Sequence, residues 1–221
     1  MRHIIELKDG WQFTNLDGQT SEVSIPHTWN AIDGQDGGDD YKRGTCTYTL
    51  ALQKPEFDPD TQEVWIEFDG VNASAQVSLN GQDVCSHDGG YSTFRANLTG
   101  LLADENELVV KADNSKNDRV YPQMADFTFY GGIYRMVRLL VVSKAHFALD
   151  YLGSSGIRVT ATPEGAGAKV RVQSRVTTGD VTVTLIDRKG RVVGTGTGLD
   201  TTIEMAKARR WHGVEDPYLY T

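Results

Sequence analysis

Apolar residues recur at every second position along most of this chain, and that period decides what it can fold into. Cys46, Tyr48, Leu50 and Leu52 alternate with Thr45, Thr47, Thr49 and Ala51, while Val64, Ile66 and Phe68 alternate with Trp65, Glu67 and Asp69. The habit continues through Val77 and Leu79, Leu108 and Val110, Val159 and Ala161, Val170 and Val172, and Val181, Val183 and Leu185. An extended strand sends successive side chains to opposite faces, so a period of two marks strands with one buried face. Asn80-Gly81 suits a tight hairpin turn with positive φ, and Lys189-Gly190 divides strands expected at 183–187 and 192–197. Twenty-three glycines supply further turns, and no amphipathic helix interrupts the pattern. The chain reads as all-β, of sandwich type, and at 221 residues it is too long for one small sandwich.

The longest apolar stretch, Ile133 to Val142, is apolar on both faces, as a strand covered on both sides would be. After Ser143-Lys144 aromatic residues become rare, and Thr, Val, Gly and Lys/Arg dominate. This shift predicts a larger, aromatic-rich sandwich over 1–143 and a smaller Thr/Val-rich one over 144–221. The second offers about five or six candidate strands, against ~7 in a complete immunoglobulin-like sandwich. The closing residues, Asp216-Pro217-Tyr218-Leu219-Tyr220-Thr221, read as part of a strand, and the expectation is a fragment of a longer polypeptide.

Thirty acidic against twenty-two basic side chains give a net charge of −8. That argues against a nucleic-acid partner, which would require a basic stripe to displace counterions from phosphates. No apolar run reaches the ~20 residues of a membrane span. The N-terminus lacks the apolar core of a secretory signal, so the expected compartment is the cytoplasm. Cys46 and Cys85 sit in alternating runs and are expected to be small buried hydrophobes rather than a disulfide. Asn72-Ala73-Ser74 and Asn97-Leu98-Thr99 match the glycosylation pattern and are read as chance matches.

No motif of a free-standing enzyme is present: there is no Gly-x-Ser-x-Gly, His-Glu-x-x-His or Cys-x-x-Cys. Gly194-Thr195-Gly196-Thr197-Gly198 lacks the spacing and the following helix of a dinucleotide loop. His27 reads as a structural hydrogen-bonding residue. The acidic, glycine-rich run from Asp33 to Tyr41 lacks the ligand spacing of a calcium loop and is expected to be a solvated connection, with a reach toward a ligand as the other reading. The segment from Ala125 to Arg135 sets one carboxylate, Asp126, ahead of an aromatic cluster and Gly131-Gly132. If extended, it points Asp126, Thr128 and Tyr130 one way and Phe127 and Phe129 the other. An ionised carboxylate accepts from paired sugar hydroxyls, and aromatic faces cover the C–H side of a pyranose. Spacing alone leaves open an Asp that only caps a turn.

These segments together resemble the N-terminal part of a glycoside hydrolase family 2 enzyme. The stretches carrying the resemblance, in order, are Ile25 to Asn30, Trp65 to Val71 running to Val77-Ser78-Leu79-Asn80-Gly81, Gly89 through Phe94 to Thr99, Val109 to Ser115, and Asp126 to Arg135. Trp211 and Pro217-Tyr218-Leu219-Tyr220 match the ending of the family's second domain. The acidic loop and Phe129-Tyr130-Gly131-Gly132-Ile133-Tyr134-Arg135 look most like the β-galactosidase branch, with β-glucuronidases and β-mannosidases as alternatives.

The resemblance implies a jelly-roll sugar-binding sandwich over 1–143 and an immunoglobulin-like sandwich over 144–221. It places catalysis in a following β/α barrel, where two glutamates perform a retaining hydrolysis; neither is in this chain, which is expected to be inactive alone. It assigns Asp126 the role of reaching the terminal sugar. Where β-galactosidases use an Asn of the early loop, this chain has none, and Asp36, Asp39 or Asp40 could stand in. Arg135 reads as a structural ion-pair partner. No cofactor is expected in this part, and the barrel's metal is left open. The partners implied are a β-galactoside or related sugar, the C-terminal catalytic barrel of the same chain and a homo-oligomer. Two other readings compete: a free-standing carbohydrate-binding module, and a purely structural interaction protein.

Overall fold

In a computed structural model, residues 2–35, 41–121 and 128–221 are described. The chain divides into two compact units, 1–144 and 145–221. Among the described residues every regular element is a strand.

The first unit holds ten strands: β1 (His3–Glu6), β2 (Trp11–Thr14), β3 (Thr20–Val23), β4 (Thr45–Gln53), β5 (Gln62–Phe68), β6 (Ser74–Leu79), β7 (Gln82–Asp88), β8 (Phe94–Asn97), β9 (Glu105–Asp113) and β10 (Val137–Ser143). They form a four-stranded sheet, β1-β10-β5-β8, and a six-stranded sheet, β3-β2-β4-β9-β6-β7, with antiparallel pairs throughout. This is the jelly-roll sandwich. Its core lies where the alternation puts it: Trp11, Tyr48, Leu108 and Val110 from the larger sheet, with Ile66, Phe68 and Leu139 from the smaller, are essentially inaccessible. Asn80 and Gly81 both take positive φ (54° and 76°), the mirror-image turn whose twist suits the β6–β7 hairpin.

β10 is buried along both faces, Leu139 through Val142, as its unbroken apolar sequence requires. The second face of β5 departs from simple alternation, because Trp65 and Glu67 are buried as well. The Glu67 carboxylate survives there because Arg95 Nε donates to it at 2.5 Å and Arg138 Nη1 at 3.2 Å. Two cations offset the desolvation of one anion. Cys46 and Cys85 are free thiols, and burial pushes each up to about 11.

The second unit is the immunoglobulin-like sandwich. β11 (Ile157–Glu164), β12 (Gly167–Ser174) and β15 (Asp200–Met205) form one sheet, and β13 (Thr182–Ile186) with β14 (Val192–Thr197) the other. Gly194 and Gly196 are explained here: a Cβ at Gly194 would run into the Ile203 side chain, and one at Gly196 into Thr201. The Gly-Thr repeat thins β14 so that it can lie against β15.

Candidate functional site

Asp126, Asp36, Asp39 and Asp40 lie outside the described residues. What the structure defines is the footing from which their two segments spring, 29–35 with 41–44 on one side and 114–121 with 128–132 on the other.

One side chain ties these footings together. Asn30, fully buried, accepts on Oδ1 from the Gly131 amide at 2.8 Å and from Asn114 Nδ2 at 3.0 Å. Its Nδ2 donates to Asp33 Oδ2 at 2.6 Å and to the Lys42 carbonyl at 2.9 Å. Both lone pairs and both amide protons are thereby used, which is the complete capacity of the group. Asn114 repeats the device, donating to the Lys42 carbonyl at 3.1 Å and accepting from the Gly44 amide at 2.9 Å. Asp33 is buried and accepts from the Lys42 amide at 2.9 Å as well. Asp33, the first residue of the acidic run, is therefore part of a clasp rather than of the solvated connection expected from sequence, while Gly34 and Gln35 are exposed. A carboxylate there satisfies amides that would otherwise be stranded without water.

The Gly-Gly pair is required by space and by backbone conformation. A Cβ on Gly131 would meet the Trp29 ring at 2.5 Å and Asn114 Nδ2 at 2.7 Å. Gly132 has φ +120°, where L side chains are strained, and a Cβ there would meet Tyr48 Oη at 2.5 Å. Gly132 and Asn72 exchange backbone hydrogen bonds at 3.1 Å, and Asn72 Nδ2 donates to the Tyr130 carbonyl at 2.9 Å. Over 128–130 Phe129 is buried, and Tyr130 on the opposite side is exposed, as an extended run predicts.

Beneath this platform His27 Nδ1 and Tyr48 Oη share a hydrogen bond of 2.8 Å, and Phe13 packs on both rings. Burial pushes the His27 pKa below its ordinary 6.5 and the Tyr48 pKa far above its usual range. A neutral imidazole bonded to a phenol in the core is the structural role expected of His27. Arg135 differs from expectation: among the described residues its partners are the Tyr91 carbonyl, at 3.5 Å, and the Tyr134 ring, 5.4 Å from the guanidinium, rather than a carboxylate.

Sequence reasoning missed Tyr41. Its hydroxyl is buried and completes no hydrogen bond among the described residues. Burial raises its pKa, while the neighbouring Thr128 side chain and the Arg43 cation, 5.2 Å from the ring centre, draw it down. Tyr41 thus opens one segment beside Thr128, which closes the other. Only the resemblance's interest in the early loop marked this position in the sequence. Among the described residues no three His, Cys, Asp or Glu side chains gather as a metal would need.

Residues 4–143 match the sugar binding domain of the glycosyl hydrolases family 2. A β-glucuronidase of Bacteroides fragilis is 35% identical over 99% of this chain and 34% of its own length. A β-galactosidase of Thermoanaerobacter pseudethanolicus is 26% identical over 97% of this chain and 30% of its own. Among solved structures, an FMN-binding β-glucuronidase from Facaelibacterium prausnitzii L2-6 superposes with a TM-score of 0.88 at 38% identity, over all of this chain and 36% of that one. The chain spans about a third of the length of the relatives it matches.

Proposed function

The chain belongs to glycoside hydrolase family 2, and from that premise we propose that it is the non-catalytic front part of a β-glycosidase whose reaction centre lies in a C-terminal region outside these 221 residues. Its work is to scaffold that region and to lend it Asp126, which accepts hydrogen bonds from hydroxyls of the terminal sugar. The observation that carries this reading is the Asn30 clasp. One buried amide fixes the root of the Asp126-bearing segment to the root of the 36–40 segment, at the same end of the sandwich. Fixing the roots of a loop lowers the ordering entropy lost when it takes up a ligand.

The parent hydrolyses O-glycosidic bonds with retention, and the 221-residue chain alone does not. Among the described residues there is no helix from which a β/α barrel could be built. Relatives bearing both the β-glucuronidase and the β-galactosidase names support a terminal sugar that is a glucuronide or a galactoside. The galactoside preference expected from the sequence is one arm of the test. Asp126→Ala in the full-length parent, assayed on nitrophenyl galactoside and nitrophenyl glucuronide, should lower kcat/KM on the better substrate about 10- to 100-fold. That range is the ~1.5–3 kcal/mol of hydrogen bonds to a charged acceptor. Unchanged kinetics would leave the domain a purely structural one. Tight galactose binding by residues 1–143 alone, abolished by the same substitution, would instead make it a free-standing binding module.

A further inference from the structure

The charge of the chain is divided unevenly. Ten of the 22 Lys and Arg but only eight of the 30 Asp and Glu fall at 145–221, so the second unit carries +2 while residues 1–144 carry −10. Within the second unit the cations gather. A groove of about 690 Å³, inside the ~300–1,000 Å³ of small-molecule sites, is lined by Arg188, Lys189, Lys207, Arg209, Tyr218 and Tyr220.

Two fixed corners build this groove. At the β13–β14 turn, buried Asp187 accepts on Oδ1 from the Lys189 amide at 2.8 Å and from the Arg191 amide at 3.0 Å, and Arg191 Nε donates to its Oδ2 at 2.8 Å. The turn's own anion is thereby spent, while the Arg188 and Lys189 side chains stay exposed. At the other corner Arg209 holds Asp216 through two bonds of 2.8 Å, and its guanidinium lies 4.6 Å from the centre of the Tyr218 ring. The remaining carboxylate of the groove, Glu204, meets Lys169 at 3.9 Å. Among the described residues Arg188, Lys189 and Lys207 are in no salt bridge, unlike Arg191 and Arg209.

The two tyrosines supply donors as well. Tyr218 Oη accepts from the Arg188 amide at 3.3 Å, and Tyr220 Oη from the Arg209 amide at 2.9 Å. With its oxygen so engaged, each hydroxyl has its proton left to give. The rings meet edge to face, 5.1 Å apart. Cations outside salt bridges, phenol donors and aromatic faces together suit a ligand that carries anions on a ring with C–H faces.

We propose that this groove binds a saccharide bearing carboxylate or sulfate groups. The anions meet Arg188, Lys189 and Lys207, and the sugar rings lie against Tyr218 and Tyr220. A short saccharide fits better than a long polyanion, because the cations are confined to one groove of a chain whose net charge is −8. The inference goes beyond the Asp126 reading and does not depend on it.

Calorimetry on the 221-residue chain and on the full-length parent tests this, with a heparin hexasaccharide, a hyaluronan hexasaccharide and neutral maltohexaose. At least one acidic hexasaccharide should bind, more weakly as salt is raised, and maltohexaose at least about tenfold more weakly still. Tighter binding of heparin assigns sulfate as the group recognised, and tighter binding of hyaluronan assigns carboxylate. Lys189→Ala combined with Lys207→Ala should weaken binding at least about tenfold, with the thermal unfolding midpoint unchanged because both ammonium groups are exposed and outside any salt bridge. Absence of binding, undiminished binding by the double variant, or equal affinity for a single-stranded DNA hexamer overturns the proposal. Binding by the short chain that is lost in the parent overturns it too, since the groove is then covered there. Each of these outcomes leaves the Asp126 reading intact, and unchanged kinetics of Asp126→Ala would leave this one intact.

Discussion

The two units obey the same alternation and end up with very different interiors. β4 in the first and β11 in the second both place apolar residues at every other position, but Cys46, Tyr48, Leu50 and Leu52 are buried whereas Ile157, Val159 and Ala161 are not. The first unit sets six strands against four and fills the gap with rings. The second sets three against two and buries only Leu149, Val170, Val172, Val181 and Ile203 among its apolar side chains. Periodicity decides which face of a strand would be buried; whether it is buried depends on a second layer wide enough to cover it.

That contrast can be broken by mutation. Phe68→Ala, which removes a fully buried ring stacked on Phe94 at 4.7 Å, should destabilise the first unit by about 3–5 kcal/mol in denaturant unfolding. Val159→Ala in the second should cost under about 1 kcal/mol, since most of that side chain already meets water. Equal costs would mean that the face of β11 is covered in solution. Asn30→Ala strands the Gly131 amide and takes one of two partners from Asn114 Nδ2 and from Asp33, and should cost about 2–3 kcal/mol. In the parent it should also depress kcat/KM, because the roots of both segments lose their tie; full activity would detach the clasp from function.

The pH dependence sharpens the comparison further. His27 is half-buried in the first unit with its pKa below 6.5, so the unfolded chain takes up a proton more readily than the folded one. Its contribution is fully present above about pH 6.5 and is lost as pH falls below that value. The first unit should therefore be less stable at pH 5 than at pH 7, and His27→Gln should flatten part of that slope. The remaining slope includes His87, whose pKa burial also lowers. A slope identical in the variant would remove His27 as its source. The smallest effect is expected from Arg171→Ala. It deletes the exposed pair of Arg171 with Asp200 in the second unit and should leave the denaturant midpoint nearly unchanged, the more so in high salt.

Much of this architecture was legible because strands announce themselves locally. Tyr48, Phe68 and Val110 follow from a period of two, and Asn80-Gly81 from the φ values its turn demands. The clasp was not legible. Asn30 and Asn114 are 84 positions apart, and nothing in either neighbourhood distinguishes a buried amide from an exposed one. Asp33 was misread for the same reason: an acidic, glycine-rich run suggests solvent until the amides that need its carboxylate come into view. Gly194 and Gly196 show the same limit: their spacing excluded a dinucleotide loop, but their reason is the nearness of Ile203 and Thr201 on a neighbouring strand.

Asn30 pins the roots of both segments, so the platform holds its shape by ties that lie wholly within it. Relatives that match this front end go by the names of two different glycosidases, so the platform by itself does not decide which sugar is met.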